Sequence, residues 1–295
     1  MTGAASPKPD GRNECRAVTK RSRSNFAYAF LFLPRAKREA LYAIYAFCRL
    51  TDDLVDEAAT DPSEALDPRA AALRAWRAEL DACCREAAGH PVTLRLAEIR
   101  RTFPIPRAYF DELLNGVEMD LGGRRYETFA ELEQYCYRVA GVVGLMCIEV
   151  FGYTQPATRL YAERLGTAFQ LTNILRDLGK DAADGRVYLP QEDLRRFGVR
   201  EEDLAAGRPT PAVRDLVRFE TDRARRLYAA ARAALPPEDR RAMLPAQIMC
   251  AIYARLLREI ERRAYDVFSS RVALSDTRRL CLALAAWTKN RLGLA

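Results

Sequence analysis

The chain has 295 residues, of which 49% are hydrophobic and 29% charged, and a formal net charge of +7. That balance excludes a disordered or fibrous protein and leaves room for a core that encloses a cavity. The arginine excess favours anionic partners, but the basic residues are spread out, and no zinc-finger spacing or RNA-binding motif occurs. No nucleic acid is therefore expected, and a phosphorylated substrate ranks above it.

In chain order, Met1 to about Lys20 is polar and reads as a flexible tail without the apolar stretch of a signal peptide, leaving residues 21–295 as one domain. Pro34 opens a long helix to about Glu57, and Asp61–Pro68 reads as a loop. A helix follows to about Ala88, Pro91 opens a shorter one, and another runs from about Arg107 to Leu121, ended by Gly122-Gly123. Thr128 and Glu131 fit a capping box for a helix to about Phe151, and Pro156 starts one to about Asp181. Beyond a glycine-containing loop to Pro190, short helices reach about Leu204, and longer ones are expected near Ala212–Ala234, Asp239–Phe268 and Asp276–Leu292.

Period-two strand patterns are hard to find, so the fold class is all-α. Eight cysteines without a CxxC spacing read as reduced thiols. The single histidine, His90, lies between Gly89 and Pro91 and reads as a solvent-facing turn residue. No run approaches the ~18–20 apolar residues that span a bilayer. The expected location is cytoplasmic, with a freely soluble enzyme and one peripheral to the inner face of a membrane both open; so is the oligomeric state.

Two aspartate pairs stand out. Asp52 and Asp56 lie four apart in the first long helix, and Asp177 and Asp181 repeat that spacing with Asn173 and Gln170 on nearly the same stripe. Two like charges ~6 Å apart repel by roughly 3 kcal/mol at an effective dielectric near 20. A cation would relieve this, and magnesium suits one or two carboxylates completed by phosphate oxygens and water. Nineteen aspartates in the chain give about one such pair by chance, so spacing alone is weak and the flanking residues must decide.

Four stretches together resemble the squalene/phytoene synthase family of head-to-head prenyl synthases. They are Ser24-Asn25-Phe26 leading into Phe30–Pro34; Tyr42–Arg49 with Asp52–Asp56; Tyr135–Gly144; and Gln170–Asp177 through Asp181, then Gly185–Pro190. The resemblance implies an isoprenoid-synthase-type helical bundle with a central apolar cavity. It implies Mg2+ (Mn2+ as the substitute) held by Asp52, Asp56, Asn173, Asp177 and Asp181. Diphosphate would be contacted by Arg49, Arg176 and Arg186, with Tyr45, Tyr135 and Gln170 around the reacting carbons and Phe26 in a lid. Lys180 departs from the family pattern, where an acidic residue is frequent.

The substrate implied is a prenyl diphosphate. Residues 22–34 resemble bacterial presqualene diphosphate synthases most, which implies two farnesyl diphosphates joined to presqualene diphosphate with no nicotinamide cofactor. Phytoene synthase, using two geranylgeranyl diphosphates, and NADPH-dependent squalene synthase are the alternatives within the family. A non-catalytic lipid-binding or assembly protein is the alternative of a different class; it is disfavoured because both pairs and their arginines are intact.

Overall fold

The apolar periodicities fold as helices throughout. The computed structural model describes residues 11–22, 25–56 and 67–293, and no strand occurs among them. The helices are α1 Gly11–Arg21, α2 Phe26–Phe30, α3 Arg35–Asp56, α4 Pro68–Cys84, α5 Pro91–Thr102, α6 Arg107–Glu118 and α7 Phe129–Cys136. A π-helical turn, Tyr137–Gly141, joins α7 to α8 Val142–Phe151. Then come α9 Ala157–Ala183, α10 Gln191–Phe197, α11 Glu201–Ala205, α12 Pro211–Ala234, α13 Leu244–Arg262 and α14 Asp276–Arg291. Ser24, Glu57, the expected tail over residues 1–10 and the expected loop over residues 61–66 lie outside the described residues.

Local chemistry sets the ends. Asp67, His90 and Thr210 cap helices that have proline in the first turn, where its missing N–H costs nothing. Thr128 Oγ1 accepts from Glu131 N, while Glu131 reaches back to the Glu127 N–H rather than to that of Thr128. The left-handed Gly198 closes α10.

On α3, Ala40, Ile44, Phe47, Thr51 and Val55 form the buried stripe. Phe47 stacks on Trp76 of α4 and meets Phe110 of α6 edge-on, both at 5.3 Å between ring centroids. Trp76 donates to Thr51 Oγ1 at 2.9 Å. Burying a phenylalanine this fully contributes about 2–3 kcal/mol. The opposite face of α3 is thereby turned to the interior cavity.

Helix α9 lies against α12, α8 and α13. Its approach to the 137–151 stretch is backbone-close: a Cβ at Gly166 would stand 2.4 Å from the Ala140 carbonyl oxygen, and one at Gly144 2.7 Å from that of Ala162. Only glycine permits that approach.

Several expectations are corrected. Residues 11–20 are not a tail: α1 buries Cys15 and Val18 against α3 and α5. His90 is a half-buried capping residue whose Nδ1 accepts from Val92 N, with its ring edge-on to Trp76. Helices α4 and α13 stop short, at Cys84 and Arg262, and α6 ends at Glu118, before the glycine pair. All eight cysteines are free; four are buried and Cys281 is exposed. The helix Phe129–Phe151 is long and apolar enough to cross a bilayer by composition, but Leu132, Cys136, Val142, Leu145 and Met146 are packed inside the bundle.

Candidate active site

Turned away from the core, α3 presents Tyr45, Arg49, Asp52 and Asp56 at i, i+4, i+7 and i+11, one stripe of the helix. Helix α9 presents Gln170, Asn173, Asp177 and Asp181 at i, i+3, i+7 and i+11. Both stripes line one cavity of about 610 Å³. Phe26, Tyr135, Arg176 and Arg186 line it too, so every site residue expected from sequence is brought together. A second, apolar pocket of about 170 Å³ shares Phe26, Tyr45, Gln170 and Asn173 with it and continues toward Val143, Cys147 and Phe169. The result is a polar mouth with an apolar floor.

Arginines answer the aspartates. Arg186, in the loop after α9, donates to Asp56 Oδ1 at 2.6 Å and so ties the two acidic helices together. Arg49 lies 3.5 Å from Asp52 and also pairs with Asp53. Arg176 grips Asp177 with Nε at 3.1 Å from each carboxylate oxygen, and Arg271 reaches Asp177 Oδ1 at 3.2 Å. Burial pushes Asp177 up, but Arg176 and Arg271 outweigh it and hold its carboxyl below the usual range.

At Asp52 and Asp181 the neighbouring cations do not outweigh burial. Burial first, and then the neighbouring Asp56, raise Asp52 to about 7. Burial and Asp177 raise Asp181 to about 7. The Asp52 side chain is 52% exposed; that exposure is to water in the cavity, while the surrounding protein still weakens its hydration. Lys180 is turned toward Asp184 at 3.9 Å, and its charge only partly offsets the rise at Asp181.

Among the described residues no group of three or more His, Cys, Asp or Glu forms a preformed metal cage. Magnesium does not need one, since it takes one or two carboxylates and completes its shell with substrate oxygens and water. The donor set fits a hard cation: oxygen ligands only, and two strained acidic pairs. Asn173 Oδ1 is buried without a hydrogen-bond partner, while Nδ2 of the same amide donates to Gln170 Oε1 at 3.3 Å. An acceptor left unused in that place is what a cation would satisfy.

The fold adds residues that helix spacing did not reveal. Asp120, just past α6, accepts from the hydroxyls of Tyr135 and Tyr188, both at 3.0 Å. The two rings stack at 5.2 Å. Burial raises Asp120 to about 6 against the lowering effect of both tyrosines and Arg186. Arg271, from the chain between α13 and α14, and Arg279, in the first turn of α14, also line the cavity. Tyr188 lies within Gly185–Pro190, a stretch that carries part of the family resemblance and is its one signal in the sequence. Asp120, Arg271 and Arg279 belong to no periodic stripe that faces Asp52 or Asp177.

Residues 19–278 match the family model described as Squalene/phytoene synthase. The phytoene synthase of Arthrospira platensis is 39% identical over 300 residues, covering 94% of this chain and 93% of the relative. That of Mycobacterium tuberculosis is 37% identical over 273 residues, covering 92% and 88%. A dehydrosqualene synthase solved in complex with a ligand superposes with a TM-score of 0.82 at 31% identity, over 96% of this chain and 97% of the other. Squalene synthase HpnC from Alicyclobacillus acidocaldarius gives 0.75 at 32%, over 87% and 95%. With its facing acidic stripes in one helical cavity and a family match over most of its length, this chain belongs to the squalene/phytoene synthase family and is a head-to-head prenyltransferase.

Proposed function

We propose that the enzyme joins two geranylgeranyl diphosphates head to head, as a phytoene synthase, with magnesium at the two aspartate pairs. The observation that carries the chain length is likeness. Relatives named phytoene synthases are 37–39% identical over more than nine-tenths of the chain. Structures named dehydrosqualene and squalene synthases stand at 31–32%. The farnesyl reading drawn from residues 22–34 rests on a single short stretch and gives way to the whole-chain comparison.

The chemistry follows from the residues. Asp52 and Asp56 on one side, and Asn173, Asp177 and Asp181 on the other, would hold the metal. When bound, it supplies Lewis-acid neutralisation of the departing diphosphate. Arg49, Arg176, Arg186 and Arg271 add fixed positive charge around the same mouth, and their planar forks match phosphate oxygens. Part of this charge is spent on Asp56 and Asp177 in the free enzyme, so substrate phosphate competes for arginines that are already in position.

The reacting tails extend toward the apolar floor, where Phe26, Tyr45, Val139 and Phe169 exclude water from the allylic cation. One diphosphate leaves, the second chain's double bond attacks, and loss of a proton closes a cyclopropyl diphosphate. Loss of the second diphosphate and a second proton gives the hydrocarbon without a reductant. Released diphosphate is the proton acceptor in this scheme.

Asp120 is a positioning residue. By accepting a hydrogen bond from each hydroxyl, it leaves Tyr135 and Tyr188 presenting oxygen lone pairs and electron-rich rings to the cavity, which favours a cation there.

The test is incubation of the purified protein and magnesium with geranylgeranyl or farnesyl diphosphate, with and without NADPH, followed by mass analysis. Phytoene from the longer substrate without NADPH is expected. Presqualene diphosphate or squalene from farnesyl diphosphate, with the longer chain unreactive, would refute the chain-length assignment.

A further inference from the structure

Five large hydrophobic side chains are exposed among the described residues, and four of them sit on two neighbouring elements. Leu280 and Leu284 lie one turn apart on the outer face of α14, Leu292 follows its end, and Leu31 follows α2. Phe32, next to Leu31, stacks on the half-buried Trp287 of α14 at 6.0 Å and joins these leucines into one patch. An apolar patch of this kind on a protein surface marks a contact site.

The surroundings say what the contact is. Helix α14 carries one acid, Asp276, against Arg278, Arg279, Lys289 and Arg291. Arg278, Lys289 and Arg291 are exposed, Arg291 lies over the Trp287 ring at 5.5 Å, and exposed Arg35 follows Leu31 four residues later. Leucine and tryptophan flanked by basic residues on a short helix is the composition that settles into the headgroup region of an anionic bilayer. A protein partner would have to present acids around a leucine-sized apolar ridge; an anionic lipid surface supplies both chemistries everywhere. The inner sides of the same two elements carry Phe26 and Arg279, which line the cavity, so the patch is the outer face of the cavity wall.

We infer that the outer face of α2 and α14 docks on the surface of an anionic phospholipid bilayer. Docked this way, the wall of the cavity in which an apolar product forms lies against the phase that dissolves it. The inference goes beyond the proposed reaction and does not depend on which prenyl chain reacts.

The test is cosedimentation of the full chain, without substrate, with phosphatidylcholine vesicles and with vesicles that also contain phosphatidylglycerol. The expected result is binding to the anionic vesicles only, weakened by salt. In the double variant R35E/R291E, which reverses the basic residue beside Leu31 and the one on the Leu280/Leu284 stripe, binding should fall at least about tenfold, since each basic residue near such a surface strengthens partitioning roughly fivefold. L280S/L284S should fall comparably. Neither variant alters a residue lining the cavity, so circular dichroism and turnover in solution should match the parent and exclude misfolding.

Equal binding of the parent to neutral and anionic vesicles, or undiminished binding of both variants, would overturn the inference. So would a parent that ignores vesicles but forms a dimer in sedimentation velocity that L280S/L284S dissolves; the face would then be an interface between two copies.

Discussion

Replacing Asp52 by asparagine should stabilise the metal-free protein while disabling the enzyme. The cause is the strain in the first acidic pair. Asp52 titrates at about 7 instead of the ordinary 3.8, through burial and then Asp56. A carboxyl displaced that far bears a penalty of about 4 kcal/mol on its ionised form if nothing screens it. The side chain is 52% exposed to cavity water, and screening of that extent leaves about 1 kcal/mol.

The sign follows from proton counts. Between pH 3.8 and about 7 the folded state holds a proton on Asp52 that the unfolded state has lost, so stability falls as pH rises through that window. The asparagine variant lacks this loss. Arg49 keeps Asp53 as its partner, so no guanidinium is orphaned. Thermal melts in a chelator at pH 8 should place the variant about 1–2 °C above the parent, and the difference should vanish near pH 4. With magnesium present, turnover should drop roughly a hundred- to a thousandfold, and the metal should raise the parent's melting temperature more than the variant's. A variant no more stable at pH 8, or equally favoured at both pH values, would refute the assignment of strain to this pair.

Two further perturbations probe the scaffold. Gly166→Ala drives a Cβ to 2.4 Å from the Ala140 carbonyl and should cost about 1–3 kcal/mol, read as a lower urea midpoint. Gly122→Ala meets nothing within 4 Å and should be close to neutral; equal effects of the two would count against backbone contact as the cause. Glu220 is fully buried beside Asp193, both held by Arg223, and burial raises its carboxyl from 4.5 to about 8. Its contribution to stability therefore falls as pH rises from 4.5 to about 8. Glu220→Gln should flatten the slope of unfolding free energy over that interval, and an unchanged slope would dismiss Glu220 as the titrating group.

The two acidic stripes were legible because each is written within one helix. Once α3 buries Ala40, Ile44, Phe47, Thr51 and Val55, the residues at 45, 49, 52 and 56 must share another face. The same logic on α9 grouped Gln170, Asn173, Asp177 and Asp181. Their flanking residues carried the family resemblance, whereas the farnesyl reading leaned on one short stretch. The polar composition of α1 hides a contact made only with α3 and α5. The capping bond and the ring contact with Trp76 that half-bury His90 leave no mark on local sequence.

The aspartate pairs, the helical class and the identity of the acidic and basic groups thus follow from the sequence by itself, since helical periodicity is a property of a single segment. Tertiary structure alone decided that Asp120 accepts from Tyr135 and Tyr188, that Arg271 reaches Asp177 across 94 positions, and that Arg186 closes on Asp56 from 130 positions away. Those contacts depend on the distance and register between helices, set by packing such as the bare-backbone crossing at Gly166 and Gly144. No spacing along one helix records where its neighbour comes to rest.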